Sequence, residues 1–340
     1  MMSDKQRSLG EERAAWRATG VEDVLWPQQR ICDAHHHLWD HADDRYLAAE
    51  LADDISAGHN VVATVYVECE SAYRASGPLE LAPVGETEFV VAQAAELVAT
   101  LGRPLIAGIV GHADLRLGRA VAPVLAAHVA AAGGRFSGIR HAVAWDASPA
   151  IVNHHMEPPP QLLLNQQFIE GVRELGRADL TYDVWMFHRQ LPEIITLARR
   201  APATTIIVDH LGGPLGVGPY AGKRAEVLDY CRGQLAQLAQ LPNVRIKLGG
   251  IGMTTYGNGW HKRPAPPDSR EIAADWGDFM RWCIDTFSPQ RALFESNFPP
   301  DRRSCGYGTL WNAFKRIAEP YNQGERDRLF HDTAVEVYGL

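Results

Sequence analysis

Short apolar, β-branched runs recur along the chain at Arg30 to Leu38, Val61 to Cys69, Pro104 to Val110, Phe136 to Val143, Leu180 to Phe187, Thr204 to Asp209, Val244 to Ile251 and Arg291 to Phe298. Each has the length of a buried strand. Between them, apolar residues fall at helical spacing in Glu86 to Leu101, Val121 to Ala132, Leu162 to Leu175, Ala225 to Leu241 and Ile272 to Phe287. Asp268 followed by Glu271 has the spacing of a capping box, and Ser288-Pro289 marks the end of that helix. Strands alternating with helices predict a parallel sheet, and eight repeats predict a closed (β/α)8 TIM barrel of α/β class. The reading is a single domain over residues 30–340 behind an N-terminal extension, residues 1–29. The Pro- and Gly-rich stretches Pro158 to Pro160, Gly212 to Gly222 and Pro264 to Pro267 follow strands, so they read as active-site loops.

A 340-residue chain that is 46% hydrophobic can bury a full core. Its net charge of -8 offers no basic field to a nucleic acid. No apolar run approaches the ~20 residues that span a bilayer, and Met1 to Arg13 lacks the apolar centre of a signal peptide, so a cytoplasmic protein with a small-molecule partner is expected. Assembly into a homo-oligomer stays open. The five cysteines are dispersed without a Cys-x-x-Cys pair and read as free thiols.

Polar residues gather at strand ends. In the first strand Asp33, His35, His37 and Trp39 share a parity, and a His-x-His pair at the end of a barrel strand suits zinc, whose imidazole ligands must converge. The sixth strand ends in a matching histidine, His210. In the second, Thr64, Tyr66, Glu68 and Glu70 alternate with Val65, Val67 and Cys69, which predicts a wet inner face and makes Glu68 a candidate acid, base or ligand; an ion pair with an inward cation such as Lys247 is the structural alternative. Arg140 ends the fourth strand as a bidentate cation, and His188 follows the fifth. The eighth places Glu295 and Asn297 on one face. The loop from Thr254 to Pro267, with Tyr256, Trp260, His261, Lys262 and Arg263, is long enough to cover the barrel mouth and recognise a polar or anionic ring, although such a loop is as often a subunit contact; Trp185 has the same ambiguity. Gly216 to Lys223 fails the spacing of a phosphate loop, and neither a Gly-x-Ser-x-Gly elbow nor a His-Glu-x-x-His motif occurs, so water is the expected nucleophile.

The Asp-x-His-x-His opening, Val-Asp-His-Leu-Gly-Gly, Ile-Lys-Leu-Gly-Gly and Glu-Ser-Asn-Phe-Pro-Pro-Asp together resemble the amidohydrolase-related (amidohydrolase 2) family, over Asp33 to Leu340. The resemblance implies a TIM-barrel hydrolase and is strongest to the lactonase branch, whose members open sugar-acid or aromatic-catabolite lactones. By position, His35 and His37 match the family's first-strand pair, His210 its sixth-strand histidine, and His188 lies near the fifth-strand position. Asn297 stands where many relatives have an aspartate, and an amide lacks the basicity to deprotonate water. The expected base is therefore a neighbouring carboxylate (Glu68, Glu295 or Asp301) and, after these, an imidazole such as His188; loss of hydrolysis is the third consequence. Substrate contacts are expected from Arg140, His188, Trp185, Tyr256, His261 and Arg263.

The resemblance leaves the cofactor open. His35, His37 and His210 hold one divalent ion, zinc by preference, or they hold the carbonyl by hydrogen bonds without metal. Three functions stay in view: lactone hydrolysis, amide hydrolysis or non-oxidative decarboxylation on the same barrel, and a catalytically silent ligand-binding protein.

Overall fold

The computed structural model describes residues 12–41, 44–153 and 155–340. The polar N-terminal residues 1–11, on which the expectation of a missing signal peptide rests, lie outside them. Eight parallel strands run in sequence order: β1 Ile31–His36, β2 Val61–Val67, β3 Ile106–Gly111, β4 Phe136–Arg140, β5 Thr181–Val184, β6 Ile206–Val208, β7 Val244–Leu248 and β8 Ala292–Phe294. Past the last strand, His37 N–H donates to the Phe298 carbonyl and Asn297 N–H to that of His35, at 2.8 and 2.9 Å, and so close the sheet into a (β/α)8 barrel. A two-stranded hairpin, Trp39–His41 with Asp44–Tyr46, stands on the first βα loop.

The main outer helices are α1 Ala48–Ile55, α2 Val84–Leu101, α3 Ala122–Ala131, α4 Gln166–Arg177, α5 Leu191–Arg200, α6 Arg224–Ala239, α7 Ser269–Phe287 and α8 Tyr307–Ile317. The expected capping box opens α7, where the Asp268 carboxylate accepts from Arg270 N and Glu271 N while Glu271 accepts from Asp268 N. Two short helices follow, α9 Gln323–Asp327 and α10 Thr333–Tyr338. The last of these packs against the barrel's inner apolar layer.

That layer comprises Cys32, Ala34, Ala63, Val65, Val67, Val110, Ile207 and Leu293, joined by Ala334 and Tyr338 of α10. It corrects the expected facing of two strands. In β2 the inward residues are Val65 and Val67, while Tyr66 points out to donate to Glu86 of α2 at 2.9 Å. A polar side chain buried in this apolar layer would lack a hydrogen-bond partner, and Tyr66 finds one by turning outward. In β1 the pairing register shifts between Asp33 and His36. Asp33 therefore leaves the histidine face and accepts from Ser296 N at 2.8 Å and from Tyr307 OH at 2.9 Å.

Residues 12–29 lie along α7, α8 and the loop after β7: Glu22 accepts from Ser269 N at 2.6 Å, Asn312 Oδ1 from Leu25 N at 2.9 Å, and the Arg263 carbonyl from Trp16 Nε1 at 3.0 Å. No helix among the described residues is long and apolar enough to cross a membrane.

Candidate active site

Above the apolar layer lies a buried ionic one. Lys247 of β7 donates to Asp183 of β5 at 2.6 Å and lies 3.1 Å from Asp209, and Tyr338 OH donates to the same Asp183 oxygen at 2.7 Å. Burial works against the Lys247 ammonium, but Asp183, Asp209 and Glu295 outweigh it and hold its pKa above the ordinary value. Burial pushes Asp209 up to about 6 and Glu295 up to about 8, with Lys247 opposing both. Lys247 is thus the counter-ion of Asp183 and Asp209, with Glu295 adding to its field, and it does not pair with Glu68.

Three imidazoles stand on this layer. His35 and His37 face each other through Nε2 at 3.1 Å, and the His35 and His210 rings are 4.5 Å apart. Each Nδ1 has an anchor: His37 Nδ1 donates to the Val67 carbonyl at 2.8 Å, His210 Nδ1 donates to Glu295 at 2.6 Å, and His35 Nδ1 lies 3.0 Å from both Glu295 Oε2 and Lys247 Nζ. Burial lowers all three, to about 3 for His210 and well below the ordinary value for His35 and His37, so the rings are neutral at pH 7. Neutral rings with anchored Nδ1 atoms leave Nε2 as the atom a zinc ligand uses, and His35 and His37 bring theirs together. The Nε2 separation is close to the roughly 3.3 Å spacing of two tetrahedral ligands at 2.0–2.1 Å from zinc. His35, His210 and Glu295 also offer ligand atoms within 4.8 Å of one another, but the Glu295 oxygens already face the two Nδ1 atoms. His35 stands between two obligate donors, Lys247 Nζ at Nδ1 and Arg140 Nη1 at Nε2, so its neutral ring can accept from one of them only.

Local backbone places these groups. His210 and Asn297 adopt φ of 51° and 52°, in the left-handed region that non-glycine residues rarely occupy. Gly250 is required beside them, because a Cβ there would lie 2.6 Å from His210 Cβ. This is the physical content of the Gly-Gly pair after β7. Tyr256 OH donates to the His210 carbonyl at 2.6 Å, so this expected substrate contact is instead a support beneath the histidine.

A cavity of about 670 Å³ opens over the imidazoles, with His37, His210, Arg140, Asn297 and Trp185 in its wall. Arg140 Nε donates to Glu68 Oε1 at 2.6 Å, and its Nη1 lies 3.3 Å from His35 Nε2. Asn297 Nδ2 donates to Asp301 at 2.8 Å, which leaves its Oδ1 for the cavity. The three carboxylates expected to act as base stand back from that wall. Glu68 is spent on Arg140 and on His155, 2.8 Å away, Glu295 lies under the histidines, and Asp301 is buried between Asn297 and Gly252 N. His188 is also elsewhere, buried against Tyr220 and Tyr230, while His261 and Arg263 line a neighbouring cavity.

Residues not singled out as site residues from the sequence complete the wall: Trp39, His41, Glu70, Asn153, His155 and Phe187. Glu70 is the carboxylate that reaches it, at a φ of 62°. The flanking N–H groups of Cys69 and Ser71 both donate to Glu86, at 2.8 and 2.9 Å, and fix that turn. His155 comes from the long loop after β4. Burial alone would lower its pKa, but the Glu68 carboxylate raises it to about 9. Only the positive φ at Glu70 and the spacing of Glu86 from it bear on this pairing, and neither is visible as a motif.

The family model for the amidohydrolases matches residues 32–340. An L-fucono-1,5-lactonase from Burkholderia multivorans is 31% identical over 319 residues, 91% of this chain and 95% of that protein. A crystal structure of an amidohydrolase from Burkholderia multivorans with bound zinc is 27% identical with a TM-score of 0.69, and covers 91% of this chain and 99% of that one. A second crystal structure of an amidohydrolase from the same organism, with bound Hepes, is 26% identical with a TM-score of 0.70 over the same shares.

Proposed function

The chain belongs to the amidohydrolase family, and on that premise we propose that it hydrolyses a lactone of a small sugar acid or aromatic catabolite. One observation carries this reading: His37, His210 and the Arg140 guanidinium line a cavity whose walls include Trp39, Trp185 and Phe187, and His35 lies buried behind them, 3.1 Å from His37 Nε2 and 3.3 Å from Arg140 Nη1. The aromatic walls fit the faces of a ring, and the likeness to a lactonase over nearly the whole chain supports a cyclic ester.

His35, His37 and His210 would hold one divalent ion, zinc by preference. When bound, it would polarise the ester carbonyl and acidify water. The protein's own groups do the rest. Arg140, fixed by Glu68, points a guanidinium at the carbonyl oxygen and stabilises the charge that develops there. Asn297 Oδ1 accepts a hydrogen bond from the attacking water. Glu70, whose pKa is lowered chiefly by its hydrogen bond from His155, is ionised at neutral pH and takes the proton.

The test is His37→Ala assayed on a panel of sugar-acid and pyrone lactones, with elemental analysis of protein purified without chelator. Loss of about 10³-fold or more in kcat/KM with an unchanged circular dichroism spectrum is expected. Full activity in the variant refutes the site. Carbon dioxide or an amine as product, in place of an opened hydroxy acid, refutes the lactone.

A further inference from the structure

A second cavity, of about 550 Å³, adjoins the first and shares Thr254 and Arg303 with it. Its other walls are Glu12, Arg13, Trp16, His261, Lys262 and Arg263. Four Lys and Arg side chains therefore face one carboxylate, on a chain whose net charge is -8. Arg263 is paired with Glu271 at 3.0 Å, and Arg303 reaches Asp44 only at 4.0 Å. Among the described residues, neither Arg13 nor Lys262 has a carboxylate within ion-pair distance. Like charges gathered without counter-ions repel, and His261 registers their field: it is lowered by burial and then by Lys262, Arg303 and Arg13. Such a cluster is held in place by backbone, here by the bond from Trp16 Nε1 to the Arg263 carbonyl, and it is stabilised by whatever anion enters.

We propose that this basic pocket is an anion subsite of the active site, which takes a phosphate or carboxylate at the distal end of the substrate. The proposal rests on the lactonase reading and narrows it to lactones that carry an anionic arm. A ring seated over His37 would extend that arm past Thr254 and Arg303, the wall common to both cavities.

The experiment needs no turnover, so it succeeds or fails separately from the lactonase reading. Inorganic phosphate and succinate are each titrated calorimetrically into the full chain, the Arg13→Ala/Lys262→Ala double variant and Lys262→Arg. Binding of phosphate, succinate or both is expected, weakened at least about fivefold in the double variant, kept in Lys262→Arg, and weakened for every form by added sodium chloride. The anion that binds more tightly names the arm. Binding of neither anion overturns the proposal, and so does equal binding by the wild type and a double variant with unchanged melting. An anion held only at the imidazoles would give that second result.

Discussion

Replacing Lys247 by methionine removes the counter-ion of the barrel interior with little change in volume. At an effective dielectric of about 20, the contacts to Asp183 at 2.6 Å and Asp209 at 3.1 Å amount to about 6 and about 5 kcal/mol of attraction. Most of that offsets the dehydration of the ions. What a variant loses is the compensation of charges that stay buried, and breaking such a pair costs about 3–5 kcal/mol. For 340 residues at roughly 2.1 cal/mol/K each, the unfolding entropy is about 0.7 kcal/mol/K, so the melting temperature falls by roughly 4–7 °C. The pH dependence has a definite sign. Asp209 already stands at about 6, above its unfolded value, and loss of the cation raises it and its neighbours further. Between the unfolded and folded values the native variant binds more protons than the unfolded chain, so its stability rises as pH falls through that window. The gap between variant and wild type, followed by scanning calorimetry, should therefore be widest above pH 7 and should narrow below about pH 6. A shift under 2 °C at pH 7.5, or a gap equal at pH 5 and pH 7.5, refutes this account of the interior.

Glu70→Gln should lower kcat by about 10²–10⁴-fold and leave the fold intact by circular dichroism, and a variant as fast as wild type removes Glu70 as the base. His155 is raised to about 9, so the tie it makes from its loop to Glu68 is fully present below about pH 6.5 and is lost as pH rises through about 9. Hydrogen exchange in residues 145–161 should accelerate over that range in the wild type and be fast at every pH in His155→Gln. Asn297→Asp alone sets two carboxyl groups where Asn297 and Asp301 now meet at 2.8 Å, so it should bind zinc more weakly than the exchanged pair Asn297→Asp/Asp301→Asn; equal affinity by metal titration counts against the coupling.

All eight strands were legible because each falls in a short stretch rich in apolar and β-branched residues, and α7 because Asp268 and Glu271 carry a capping signal at fixed spacing. The faces of β1 and β2 were not. Period-2 reasoning assumes an unbroken pleat, whereas the register of β1 shifts between Asp33 and His36, and it assumes that a polar face points inward, whereas the inner layer of this barrel is closed by α10 from the far end of the chain. His35, His37, Arg140, His210 and Asn297 were readable because each sits at a strand end. Glu70 and His155 were not, because both belong to loops, and their meeting depends on a left-handed turn held by Glu86 and on a long excursion after β4. His188 looked equivalent to the other strand-end histidines, but its ring is turned into an aromatic nest that no local pattern announces.

The amide at position 297 can now be set in its electrostatic context. The interior below the cavity already holds Asp183, Asp209 and Glu295 against Lys247, with Glu68 against Arg140 and His155 above them. Asp301 adds a carboxyl group whose pKa burial raises well above the ordinary value, and its two oxygens are occupied by Asn297 Nδ2 and Gly252 N. An aspartate at 297 would set a second carboxyl group at hydrogen-bond distance from Asp301, where the two must share a proton or repel. The amide avoids that repulsion and uses Asp301 to orient itself, with its oxygen toward the cavity. The expected position thus carries no acid: one carboxyl group lies behind Asn297 as its support, and another, Glu70, lines the cavity beside His155. In the proposed mechanism a proton taken from water by Glu70 arrives beside His155, itself a cation at neutral pH, whereas the carboxylate that anchors His35 and His210 is Glu295. The proposed base and the imidazole anchor are thus different carboxylates, linked through His155, Glu68 and Arg140, whose Nη1 lies 3.3 Å from His35 Nε2.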